Sequence, residues 1–123
     1  MKVIKTDTAP KVVGPYSQAI VAGDMIFCSG QIGLDPATGE MAGDDIESQT
    51  NQVIKNLSAV LEEAGSFLNK VVKTTCYLKN MDDYTRFNEI YAKFFISNPA
   101  RATIEVSKLP KDALVEIEAI AAI

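Results

Sequence analysis

Only two segments of this 123-residue chain place apolar residues at helical spacing, while about six read as strands. That shortage of helix is the strongest constraint on its fold. The first helix is expected at about Asp45 to Ala64, with Ile46, Val53, Ile54, Leu57, Val60, Leu61 and Ala64 forming one stripe. Asp44, followed three residues later by Glu47, matches a capping-box start, and Gly65 suits the stop. The second is expected at about Asp82 to Ile96. Tyr84, Phe87, Tyr91, Phe94 and Phe95 lie along its buried face, and Pro99 bars continuation. Strand patterns cover Met1–Lys5, Ser17–Ala22, Met25–Gly30, Lys70–Lys79, Arg101–Ser107 and Leu114–Ala121. Gly23-Asp24 turns the second pair, and "LDPATGE" reads as a turn with Gly39 left-handed.

The order predicts an α/β (α+β) sandwich with a mixed sheet of about six strands and two helices. Two helices cover one face of such a sheet, and no chain is left for the other. Local alternation assigns Phe27, Ser29, Thr75, Tyr77, Glu116 and Glu118 to the bare face. That face is mixed rather than polar, so we expect it to pack against copies of the chain as a homo-oligomer.

No repeat, low-complexity tract or linker divides the chain, so residues 1–123 are expected to form one domain. The hydrophobic share of 47% and charged share of 23% are those of a soluble globular protein. A net charge of −4 argues against general binding to nucleic-acid phosphates, which runs on clustered Lys and Arg. The chain has no histidine, which removes histidine bases, Ser-His-Asp and Cys-His pairs, and the usual zinc sites. Cys28 and Cys76 show no metal or redox spacing and read as small core residues. No cofactor or metal motif is present. The start lacks a secretory pattern and no run reaches membrane-spanning length, so a cytoplasmic setting is expected.

Individual residues admit two readings each. Arg101 shares a strand face with Thr103 and Glu105; it is either a solvated strand end or an anion anchor, since guanidinium grips carboxylates bidentately. Glu116, between Val115 and Ile117, is either an exposed or ion-paired residue or a carboxylate that orients water and moves protons. Tyr16 follows the Gly14-Pro15 turn and either packs or presents its hydroxyl to a ligand. Ser29-Gly30 ends a strand, where glycine either makes a turn or permits close backbone approach. Asn88 lies one helical turn from Tyr84 and Tyr91, suited to a structural hydrogen bond or to a ligand.

Taken together and in order, "GPYSQAI", "SGQIGLDPATGE", "VVKTTCYLKNMDDY", "FNEIY" and "PARATIEVSKLPKDALVEIEAIA" resemble the RidA/YjgF family nearly end to end. The resemblance implies a chorismate-mutase-like fold and a homotrimer, with the sheets forming a central barrel and the helices outside. It implies that the Lys70–Lys79 strand separates the last two strands, rather than a closing hairpin, and that ligand sites lie in clefts between subunits. It implies hydrolysis of reactive enamines and imines, such as 2-aminoacrylate released by pyridoxal-phosphate-dependent dehydratases, to 2-oxo acids and ammonia. By position, Arg101 matches the carboxylate-binding arginine and Glu116 the water-orienting glutamate, while Tyr16, Ser29, Gly30 and Asn88 match pocket residues. Thr103 stands where some bacterial members carry cysteine, and the Ser97-Asn98 join is shorter than in several members. Two rival readings are a non-enzymatic binder of small carboxylates, or chaperone-like protein, and an endoribonuclease.

Overall fold

The computed structural model describes residues 1–123. Its elements are β1 (Lys2–Ile4), β2 (Ala19–Ala22), β3 (Met25–Gln31), α1 (Ile46–Glu63), β4 (Val71–Leu78), α2 (Tyr84–Phe94), β5 (Ala100–Glu105) and β6 (Val115–Ala122). The six strands form one sheet in the order β1-β2-β3-β6-β4-β5. Only β4 and β5 run parallel; α2 supplies the crossover that a parallel pair requires. The last two strands do not form a hairpin, because β4 lies between them.

Both helices lie on one side of the sheet. Strand β4 shows why: Thr74, Cys76 and Leu78 are buried, while Lys73, Thr75 and Tyr77 point the other way. In β6, Val115, Ile117, Ala119 and Ala121 are buried and alternate with Glu116 and Glu118. The buried set packs against Val53, Leu57 and Leu61 of α1 and Phe87 and Ile90 of α2 in a single core. The opposite face is bare, as alternation predicts; Phe27 is 45% exposed and Ile104 46%. Cys28 and Cys76 are both buried, and loss of hydration pushes their thiols up to about 12 and about 11, as inert core residues require. No helix is long and apolar enough to cross a membrane.

Several boundaries differ from the sequence expectation for identifiable reasons. Asp45, not Asp44, caps α1. It is extended, and its carboxylate accepts the Ser48 N–H at 2.6 Å while the Ser48 hydroxyl donates back at 3.0 Å. The exit of α1 is as expected: Gly65 is left-handed at φ 84°, with Gly65 N–H donating to Glu62 O and Ser66 N–H to Leu61 O. A 3-10 turn at Met81–Asp83 precedes α2, which ends two residues early at Phe94. Phe94 is 38% exposed and leaves the buried face to Phe95. β2 begins at Ala19 rather than Ser17, and just before it the Gln18 side chain ties down the preceding loop, bonding Thr6 and Pro10.

Two buried amides fix the loops around the sheet's end. Asn56 donates to Ile32 O and Leu34 O, and Gln49 joins Gly43 O to the Leu114 N–H just before β6. The cap itself is testable. Asp45→Ala is expected to cost about 1 kcal/mol, read as a lower urea midpoint with unchanged slope. Asp44→Ala should stay within about 0.5 kcal/mol of the parent.

Candidate functional site

Arg101 lies on β5 opposite Thr74, so its side chain is on the helix-covered side. Helix α2 meets it there with residues one turn apart. The guanidinium donates to Asn88 Oδ1 at 2.8 Å and to the Tyr84 hydroxyl at 3.0 Å. Its carbon lies 4.8 Å from the Tyr91 ring centre and 5.6 Å from that of Tyr84, within cation–π range. Tyr91 is held in turn by a 2.7 Å hydrogen bond between its hydroxyl and the buried Thr74 hydroxyl. Two of the five guanidinium N–H groups are thus engaged and three have no protein partner. The arginine is oriented before any ligand arrives. Thr103 shares this side, and its hydroxyl is buried without a hydrogen-bond partner.

A second group forms on the bare face. Glu116 pairs with Tyr77 of β4 and lines a cleft of about 510 Å³ with Tyr16, Ser29, Gly30, Lys11 and Lys111. The β3–β6 register shifts between Cys28 and Gln31, at Ser29 and Gly30. The shift is secured by Ser29, which donates its N–H to Gln18 O at 2.9 Å and its hydroxyl to Ser17 O at 2.6 Å. A Cβ on Gly30 would stand 2.8 Å from the Glu116 carboxyl carbon, so any other residue there would push that carboxylate from its present place. Burial pushes the Glu116 carboxyl above its ordinary value, and the neighbouring Glu118 charge adds to the rise. Glu118 accepts from the Tyr77 hydroxyl at 2.6 Å, a bond that helps push that phenol up to about 12. A larger cleft of about 640 Å³ follows the N-terminal segment and shares Tyr16, but Asp7 is its only carboxylate.

The seven sequence-predicted residues therefore fall into two groups. Arg101, Asn88 and Thr103 meet at the outer strand; Tyr16, Ser29, Gly30 and Glu116 meet in the cleft. Arg101 is level with Thr74 and Glu116 with Tyr77, three residues along β4. The two are separated by about 10 Å along the strands and about 10 Å across them, on opposite faces. A single chain does not bring them together. Sequence reading missed Tyr84 as a ligand-side partner of Arg101, though its spacing from Asn88 carried the signal. It also missed Lys11 and Lys111, which no local pattern places in the cleft.

Known proteins resemble the chain throughout its length. The family model described as Endoribonuclease L-PSP matches residues 6–123. A RutC family protein of Pyrococcus horikoshii is 57% identical over 121 residues, 98% of this chain and 96% of that protein. Reactive Intermediate Deaminase A, chloroplastic, of Arabidopsis thaliana is 46% identical over 121 residues, 98% of this chain and 65% of that protein. The crystal structure of E. coli TdcF with bound serine aligns with a TM-score of 0.96 at 37% identity, covering 100% of this chain and 99% of that one.

The electrostatic description of Glu116 is open to direct test. Glu118→Gln removes a like charge and should shift the Glu116 titration to lower pH, followed by carbon-13 NMR of its carboxyl. An unmoved midpoint would show that Glu118 is not felt there.

Proposed function

Because the chain belongs to the RidA family, we propose that it is an imine deaminase, hydrolysing 2-imino acids and their enamine tautomers to 2-oxo acids and ammonia. The observation that carries this reading is Arg101, clamped by Asn88 and Tyr84 over the Tyr91 ring with three N–H groups free. Such a fork suits a small carboxylate. The name of the Arabidopsis relative and the serine bound in the E. coli structure support an amino-acid-sized substrate.

The proposed substrates are intermediates such as 2-aminoacrylate and 2-iminobutanoate, released by pyridoxal-phosphate-dependent dehydratases. The enamine takes a proton at C3 and gives one up from nitrogen, becoming the imine. Arg101 holds the carboxylate, and Glu116 orients a water molecule that adds to C2. One proton of the water passes to nitrogen as the carbinolamine forms; the carbinolamine's hydroxyl proton follows as the C–N bond breaks, so ammonia leaves and the carbonyl forms. Imines hydrolyse in water unaided, so this sequence asks for modest acceleration from positioning and proton handling. It needs no cofactor of the protein's own. Tyr16, Ser29 and Gly30 would line the water side, and Asn88 and Thr103 the carboxylate side.

A site using both groups takes them from two chains. The bare, partly apolar face with Phe27 and Ile104 supports assembly, and we propose a homotrimer with sheets inside and helices outside.

A dehydratase-coupled assay with serine or threonine tests the reading by following 2-oxo acid release. Arg101→Ala should lose about 2–5 kcal/mol of transition-state binding, about 30-fold or more in rate, with the fold intact. Glu116→Ala should fail likewise. Mixing the two inactive variants by denaturation and renaturation should restore partial activity, since some interfaces then pair an intact Arg101 with an intact Glu116. Full activity of Arg101→Ala would overturn the assignment. RNA cleavage by the purified protein, lost in the Arg101 variant, would favour the ribonuclease description instead.

A further inference from the structure

The turn before β6 holds two consecutive non-glycine residues at positive φ. Lys111 adopts φ 54°, ψ 27° and Asp112 φ 56°, two consecutive left-handed residues without a glycine. Aspartate tolerates this region; lysine rarely enters it. The turn is nevertheless held on every side. Leu109 and Ala113 are buried at its ends. Asp112 N–H donates to Leu109 O and Ala113 N–H to Pro110 O, both at 3.1 Å. The Asp112 carboxylate meets Lys79 Nζ at 2.7 Å, which leaves Lys111 without an ion-pair partner. Lys111 itself lines the Glu116 cleft. Glycine would remove the strain at position 111, so what lysine contributes there is its side chain.

Charge gives that side chain a purpose. The chain carries a net −4, which repels an anionic substrate at long range. The Glu116 cleft reverses the sign locally, with Lys11 and Lys111 against one carboxylate. We propose that Lys111 is a substrate-positioning residue, a fixed cation that draws the anionic imino acid into the cleft where Glu116 stands. The proposal rests on the imine-deaminase reading and deepens it, assigning electrostatic capture to the Glu116 side of a site whose carboxylate anchor is Arg101.

The test compares wild type with Lys111→Gln, Lys111→Arg and Lys111→Gly in the dehydratase-coupled assay, at roughly 0.01 M and 0.3 M salt. The expected result for Lys111→Gln is a KM about fivefold higher at low salt, with the loss falling on KM rather than kcat. Its KM should also lose most of the salt dependence shown by wild type. Arginine should restore both. Lys111→Gly should melt above wild type through relief of strain, yet show the same raised KM as glutamine, which separates the charge from the fold. A wild-type enzyme that turns over while Lys111→Gln keeps its KM and salt response overturns this proposal and leaves the deaminase reading standing. A wild type that gives no acceleration overturns both.

Discussion

Two helices cannot cover both faces of a six-stranded sheet, and the rest of the structure follows from that imbalance. The covered face holds one continuous apolar core between α1, α2 and the inner sides of β3, β4 and β6. The bare face keeps Phe27, Tyr77, Glu116, Glu118 and Ile104 together. Polar and apolar groups are mixed there, so the face is neither a core nor an ordinary wet surface. Each candidate site group inherits its character from the side of the sheet on which it lies.

On the covered side, Arg101 borrows the aromatic face of α2. A guanidinium held by an amide, a phenol and a ring loses little freedom when it meets a carboxylate. On the bare side, Glu116 is half-buried beside Glu118, which keeps its proton affinity above that of a free carboxyl. A carboxylate so tuned is suited to handing protons to and from water. Gly30, having no side chain, leaves that carboxylate its present place. An oriented guanidinium and a carboxylate of raised proton affinity thus stand on separate surfaces of one chain.

Much of the fold was legible from local pattern. The stripe from Ile46 to Leu61 and the aromatic run of Phe87 and Tyr91 mark both helices, and alternation in β4 and β6 assigns their buried sets correctly. Boundaries were less legible where a side chain had two possible uses. Asp44 and Asp45 look alike as caps, and the choice fell to the residue whose carboxylate reaches Ser48. Phe94 looked like core because it is aromatic, but the helix ends there and Phe95 fills the place instead. In the site, the value of Arg101 and Glu116 came from whole-chain resemblance, since each alone reads as a solvated strand residue. Lys111 gave no signal, because its place in the cleft depends on a left-handed turn that its residue type disfavours.

By itself, the sequence determined which segments are helices, which are strands and which side of each segment is apolar, because periodicity belongs to a single segment. It also determined that helices would be too few for the sheet. The tertiary structure decided which strands are neighbours, inserting β4 between β5 and β6, and it laid the Arg101 side of β5 against α2, while Glu116 keeps the bare face that alternation assigns it. That choice depends on pairing between distant residues, where the burial of the whole sheet outweighs any local preference. It is why two residues fifteen positions apart, on consecutive strands, stand on opposite sides of the same molecule.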